Sequence, residues 1–541
     1  MLMNEDAKRI IYIYFLLVAA KFLIALFIFA PLGYADSYIY MKTSQSILSE
    51  HSFLFDHVSY SMYPPLYSII ISISHIFNDM AWAVVIIKLI NSLLINTIIF
   101  PIYFIAREFM SEKKSVLASV MACLIPPFVL FPAYVLSESL FYPLFVFSLF
   151  FLYRSFTTPS LKWDLLTGIF VGLSYLTKMN ALVLFAVVGL SIPMALLMKM
   201  PKKHIYRKLL ILMVAMAVIS PWIIRNTMTY GASTSGLIGR YVDVLPINIG
   251  WNFFSRLYWS LMHFSYAIIA TGIVFFLISI FTMFNKEDKK LKVLSWLSFM
   301  SITSASIVSG VHSGANADWK DAIPHGRYLA MAFPMIILIG LIAMDRGYLQ
   351  RIRWRHILSI TAVFILSYPL VTFSMFPVNN ISMVYLGILQ KMLSHKIIIA
   401  LFILSPLVLL LLRKLTFKKA SALSLMFFVL VSMMGYSVIA YSSNYIWYNY
   451  DVSKLGRWVN DNINHKETIL YDNHPFGGNF KQETPKTSYI LYSGMWFSNP
   501  IRNNNGEYDS RYLISANELG HKVLYQTEWE NQTIRVYDRY S

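Results

Sequence analysis

The sequence predicts an all-α polytopic membrane protein of about thirteen transmembrane helices, followed by a small α/β domain over residues 442–541. Three observations predict it. Hydrophobic residues make up 57% of the 541-residue chain and charged residues only 13%, against roughly 45–50% and about 25% in soluble domains. Apolar runs close to the ~20 residues a bilayer requires recur almost from end to end. The composition then changes after residue 441, where polar residues and turn formers return.

The apolar runs fall near 10–30, 82–105, 115–131, 139–153, 164–177, 181–198, 209–224, 263–284, 293–311, 328–344, 357–376, 397–412 and 421–441. The first has no small-residue cleavage site after it and continues into Pro31-Leu32-Gly33-Tyr34, which reads as an anchor rather than a removed signal peptide. The run at 164–177 is short and carries Gly168 and Gly172, so it also fits half of a re-entrant pair with 181–198. The segment 64–77 is apolar but follows Pro64-Pro65 and fits a helix lying on the membrane. In the tail, SKLGRWVNDNI has the pattern of an amphipathic helix. TILYD, SYILYS, RYLIS, HKVLYQ and TIRVYD read as short strands between turn residues.

Charge orients this topology. The formal net charge is +18, which by itself fits nucleic acid or anionic lipid. With a cytoplasmic N-terminus, the segments 1–9, 107–114, 154–164, 199–208, 285–292, 345–356 and 413–420 face the cytoplasm and carry a net +16. The excess is thus the positive-inside bias of short loops, and no nucleic-acid partner is implied. Membrane lipid is the expected surroundings, the plasma membrane the expected location, and the 442–541 domain is expected outside. The one cysteine, Cys123, excludes a disulfide framework and a cysteine-based metal site.

Ionisable groups at a membrane edge are costly and so are candidates for function. Outside the tail, the acids on the outer side are Asp36, Glu50, Asp56, Asp79, Glu138, Asp243, Asp318 and Asp321. Asp36 follows the first span and Glu138 opens the fourth, where partial desolvation strengthens a carboxylate as a base. Each also fits a helix-start acid that complements the dipole. The first outer loop, 31–80, is long and rich in Tyr, Ser and His. Its Asp56-His57 pair fits a proton relay or a metal pair. Outer arginines run against the positive-inside bias, so Arg225 in SPWIIRNTM and Arg327 in IPHGRYLAMAFP need a local reason. Bidentate binding of a phosphate is one and headgroup snorkelling is the other. Lys178, in YLTKMNAL, fits the same two readings. Asp318 and Asp321 read as a solvated loop, and NNIS at Asn380 and NQTI at Asn531 match the glycosylation acceptor pattern. There is no P-loop, no GxSxG elbow and no HExxH. No cofactor is indicated, and a divalent metal is left open.

Taken together, these motifs resemble the GT-C class of membrane glycosyltransferases. The resemblance rests on the acid after the first span, the long loop ending in YPPLYS, the SE before the fourth span, GLSYLTKMNAL, PWIIRN, and HGRYL followed by Pro334. Within the class it is similar to the protein-mannosyltransferase and aminoarabinose-transferase type. The resemblance implies a polyprenyl-phosphate-linked sugar donor, dolichyl or undecaprenyl, and a glycan, lipid or protein acceptor whose hydroxyl attacks the anomeric carbon on the outer face. It implies Asp36 as general base and Glu138 as the second catalytic-site acid. It implies Arg225, Arg327 and Lys178 on the donor phosphate. Asp56, His57, Tyr63, Tyr67, His325 and Tyr328 would line the sugar and acceptor pocket. Two departures stand out: Ser37 follows Asp36 where many relatives have a second acid, and Met62-Tyr63 precedes the Pro pair where lipid-A-type relatives carry a lysine. A lipid transporter or flippase would instead show internal repeats and mid-membrane charge, of which Lys21 is the main instance. A polysaccharide polymerase or ligase would place its long loop late.

Overall fold

In a computed structural model, residues 5–31, 35–55, 58–59, 63–231, 253–284, 288–313, 324–348, 380–394, 396–397, 400, 416–472, 489–504, 508–529 and 531–541 are described. Eight helices among them are long and apolar enough to cross a membrane, or up to ten if two bent pairs are each one span. This is the architecture of a multi-pass membrane protein. Eleven of the thirteen expected runs fall on described helices. The count of thirteen is not reached among the described residues, because 357–376 and most of 397–412 lie outside them. The run at 115–131 is a bent pair, Glu112–Cys123 and Pro126–Ala133 at 70°, with Pro126 and Pro127 at the break. That at 164–177 is the 17-residue helix Leu161–Thr177, whereas Met179–Leu197 beyond it is long enough to span alone.

Polar side chains inside this apolar bundle close onto their own helices. The hydroxyls of Ser148, Thr167, Ser174 and Thr177 each donate to the carbonyl four residues back at 2.7–2.8 Å, which removes the cost of a buried unbonded donor. Lys21 is buried with its Nζ donating to Asn96 at 2.6 Å. Lys88 donates to the Ile28 carbonyl at 2.6 Å, just past the end of the first helix, Glu5–Leu26.

The seven basic segments bind one another. Glu108 takes Arg154 at 2.6 Å and Lys290 at 2.8 Å. Glu112 pairs with Arg9, Asp345 with Lys114, and Asp288 with Arg346. Asp164 takes Lys208 at 3.5 Å, and Lys114 lies 5.2 Å over the Phe417 ring. Every one of the seven is thereby tied to another, so they gather at one end of the bundle.

At the other end, the first loop folds into the Ala35–Glu50 helix, a small hairpin (β1, Leu54–Phe55; β2, Val58–Ser59) and a short apolar helical stretch, Leu66–Phe77. The chain entering the Ala35–Glu50 helix is clamped from far downstream. Asn444 accepts from the Phe29 N–H at 2.7 Å and donates to the Phe27 carbonyl at 2.7 Å, while Ser443 binds both backbone groups of Ala30. Further along the same helix, Lys42 donates to the Phe497 carbonyl at 2.9 Å and Gln45 to that of Ser498.

Residues 497 and 498 flank a five-stranded sheet in the order β4-β3-β5-β7-β6, built from β3 (Ile469–Tyr471), β4 (Ile501–Asn503), β5 (Tyr512–Ser515), β6 (Lys522–Trp529) and β7 (Gln532–Asp538). Strands β3, β4 and β5 are parallel, and β7 is antiparallel to β5 and β6. The amphipathic helix is present as Asp451–Asn462. SYILYS is a correction: it forms the helix Tyr489–Gly494 rather than a strand. Its backbone packs against Gly456, where an added Cβ would lie 2.1 Å from the Ser493 carbonyl oxygen. That close helix-to-helix approach overrides the β-forming pattern of the segment.

The helices Leu161–Thr177 and Lys202–Tyr230 also touch through glycine. A Cβ at Gly168 would lie 2.7 Å from the Ile211 carbonyl oxygen and from Val214 Cβ, and one at Gly172 would lie 2.6 Å from Val218 Cβ. Small residues allow such backbone contact between membrane helices. Gly168→Val is therefore expected to destabilise the bundle by about 1–3 kcal/mol. Gly189→Val, at a site with nothing within 4 Å, should be tolerated. Thermal melts of the two detergent-solubilised variants check this; equal melting temperatures would contradict the packing described.

Candidate active site

Four charged residues from distant segments meet at the end of the bundle opposite the linked basic segments. Each sits where regular helix begins or breaks, so its side chain is aimed by local backbone geometry. Asp36 is the second residue of the Ala35–Glu50 helix. Glu138 opens the Glu138–Thr157 helix. Lys178 lies in extended backbone between the helix Leu161–Thr177 and the turn Met179–Ala181. Arg327 is in the single 3-10 turn Gly326–Tyr328, ahead of the Phe333–Asp345 helix.

Glu138 is 1% exposed; its Oε1 accepts from Lys178 Nζ at 2.7 Å and forms an ion pair with Arg327 Nη1, 3.5 Å away. Arg327 also reaches Asp36, with Nη2 3.4 Å from Oδ2. Tyr63 donates its hydroxyl to the other Asp36 oxygen at 2.8 Å. Two carboxylates thus face two cations, and the cluster is formally neutral. Asp36 is the accessible member, at 20% exposure against 7% for Arg327 and 8% for Lys178.

Aromatic rings wall the cluster. Tyr328 lies under Arg327 and Lys178, 5.0 and 5.5 Å from its ring centroid, and receives Arg327 Nη2 at its hydroxyl at 3.2 Å. His325 stacks on Tyr328 at 5.3 Å, and His312 lies 5.3 Å from His325. On the Asp36 side, Tyr40 packs against Tyr63 and Tyr67 and donates to Ser137, the residue before Glu138, at 3.0 Å. Gly326 is required by close approach: a Cβ there would lie 2.0 Å from the Tyr266 ring.

The structure brings together Asp36, Glu138, Lys178, Arg327, Tyr63, Tyr328 and His325. Tyr67 is buried one layer below, donating to Asn91 at 3.1 Å. Arg225 is held differently, on the Lys202–Tyr230 helix: it donates to the Phe53 carbonyl at 3.3 Å and stacks over the Phe53 and Trp222 rings. Phe53 and Trp222 line a small cleft with Tyr40 and Tyr63, so Arg225 flanks the Asp36 side of the cluster. Asp56 and His57 lie outside the described residues, as do Asp243, Asp318 and Asp321. Among the described residues, no group of three or more His, Cys, Asp or Glu side chains is placed to hold a metal ion.

Tyr142 and Tyr266 escape sequence reading, because neutral side chains in apolar runs carry no signal of their own. Asn380 is a correction of a different kind. It is fully buried, which rules out its reading as a glycosylation acceptor, since that modification needs a surface position.

The chain is similar to known proteins in one stretch of sequence and in overall fold. Residues 62–224 match the family described as dolichyl-phosphate-mannose-protein mannosyltransferase, a stretch that contains Glu138 and Lys178. No curated protein matches the sequence. Among solved structures, the chain superposes on ArnT from Cupriavidus metallidurans bound to undecaprenyl phosphate, with a TM-score of 0.60 and 11% identity, covering 97% of each chain. The apo state of that protein gives a TM-score of 0.58 at 12% identity over 98% of each chain. The archaeal oligosaccharyltransferase AglB from Archaeoglobus fulgidus, in complex with an inhibitory peptide and a dolichol-phosphate, gives 0.47 at 11% identity, covering 93% of this chain and 69% of its own. In fold, nearly the whole chain is similar to ArnT.

A buried charge that loses its partner is destabilising by about 3–5 kcal/mol, whereas removing both partners is much milder. Glu138→Gln and Lys178→Met are thus each expected to lower stability more than the double variant does. Chemical denaturation of the three purified proteins reads this directly, and a double variant as unstable as the sum of the singles would argue against the pairing.

Proposed function

We propose that this protein is an integral-membrane glycosyltransferase. It moves a sugar from a polyprenyl-phosphate donor to an acceptor hydroxyl at the extracytoplasmic face. The observation that carries the reading is the neutral four-charge cluster, in which one carboxylate, Asp36, is accessible, with Arg327 beside it and Lys178 joined to it through Glu138. The family match over 62–224 and the fold shared with a polyprenyl-phosphate-bound protein support it.

In this reading Asp36 is the general base. It takes the proton from the acceptor hydroxyl as that oxygen bonds to the anomeric carbon. The bond from the anomeric carbon to the phosphate oxygen breaks, and its electron pair stays on the polyprenyl phosphate. Arg327 and Lys178 face the oxygen on which this charge develops and stabilise it there. Tyr63 orients Asp36, while Tyr328 and His325 form the wall against the sugar. Glu138, enclosed by cations, acts by holding Lys178 and Arg327 in place rather than by exchanging a proton. Arg225 and Tyr67 border the sugar and acceptor side, with Asp56 and His57 in the same loop. Residues 442–541 form an extracytoplasmic domain that braces the Asp36 helix, and the linked basic end, with the N-terminus, faces the cytoplasm.

General-base catalysis contributes about 10²–10⁴-fold, so Asp36→Asn should lower transfer by at least the smaller factor while membrane insertion is retained. Purified protein assayed with a radiolabelled polyprenyl-phosphate sugar reads this, with transfer to water or acceptor as the signal. Full activity in Asp36→Asn would overturn the mechanism.

A further inference from the structure

We propose that Asn380 and His263 are positioning residues for Arg327, an inference that rests on the transferase reading of the cluster. The residues just before and at Arg327 are not helical enough to satisfy their own backbone, and the segment is buried. Its polar groups must therefore find partners. Side chains from three other parts of the chain supply them. Asn380 spans two at once, donating through Nδ2 to the Pro324 carbonyl at 2.8 Å and accepting the Gly326 N–H on Oδ1 at 3.1 Å. His263 accepts the His325 N–H on Nε2 at 3.0 Å. Tyr142 donates to the Arg327 carbonyl at 2.6 Å.

The chemistry of each partner is set by its second bond. His263 Nδ1 lies 2.7 Å from the Trp259 carbonyl, so the proton is on Nδ1 and Nε2 is free to accept. Asn380 uses both ends of its amide, which fixes which end is oxygen. The result is a turn whose backbone cannot shift without breaking bonds to three helical segments. Arg327 projects from that turn to meet Asp36 at 3.4 Å and Glu138 at 3.5 Å. The clamp thus determines where the guanidinium stands in advance of donor binding. A displacement of about 1 Å in such a group costs about 10²-fold in rate.

The test uses the purified full-length protein in detergent with three measurements: affinity for undecaprenyl phosphate, sugar transfer, and phenylglyoxal labelling of Arg327 mapped by mass spectrometry. Asn380→Leu is expected to weaken undecaprenyl-phosphate binding and to lower transfer by about 10²-fold, with Arg327 labelled several times faster and Arg511 unchanged. In an Arg327→Lys background the same substitution should change affinity by less than twofold, because a residue acting through Arg327 is non-additive with it. Additive effects in that double variant, or unaltered Arg327 labelling, would overturn the proposal. If Asn380→Leu does not fold, Asn380→Asp serves the same measurements, since it keeps the size and the Gly326 bond but sets a carboxylate oxygen against the Pro324 carbonyl. A wild-type protein that neither binds undecaprenyl phosphate nor transfers sugar would defeat the transferase reading, whereas the labelling result judges the clamp independently.

Discussion

The site is organised around one carboxylate that has almost no contact with solvent. Glu138, at 1% exposure, needs cations within reach to remain charged in an apolar bundle, because an isolated buried carboxylate is prohibitively costly. Lys178 and Arg327 meet that need. Lys178 lies where a helix ends in extended backbone, and Arg327 lies in a turn whose glycine admits the Tyr266 ring. Because Arg327 has a second nitrogen to offer, it reaches Asp36 as well. The accessible acid is thereby joined to the inaccessible one through a single guanidinium.

The two ends of the bundle use charge in different ways. At the basic end the pairs join separate segments, and many of their members are half exposed, as with Lys290 and Arg9. Such pairs contribute little stability in water. Their physical meaning is positional, since they record which connections share a side. At the opposite end the charges are few, buried and mutually neutralising.

The four clustered residues were singled out in the sequence by position and then by the family resemblance. A charge at a membrane edge is expensive, so Asp36, Glu138, Lys178 and Arg327 each call for an explanation by position alone. The same logic groups Arg225 with them, but the geometry sets it against Phe53 and Trp222 at the border of the cluster. What could not be read were the neutral supports. Asn380 is 54 residues from the turn it holds and His263 is 62, and nothing in an isolated sequence ties such positions together. Helix existence was mostly legible, because bilayer thickness dictates run length. The tail was less so. SYILYS has the residues of a strand, and only the bare Cα of Gly456, with room for the Ser493 carbonyl, makes the helix the better packing. The strand Ile501–Asn503 is too short, and too closely flanked by Pro500 and Asn504, to announce itself.

The clamp on the segment before Asp36 has a consequence for biosynthesis. Phe29 and Ala30 are bound by residues 415 and 413 positions later, and Lys42 by one 455 positions later. A nascent chain threading into the membrane would carry Asp36, Glu138, Lys178 and Arg327 long before it carries Ser443, Asn444 or the 497–498 backbone. The helix bearing Asp36 would meanwhile lack these anchors. Placement of the Ala35–Glu50 helix is thus coupled to completion of the polypeptide.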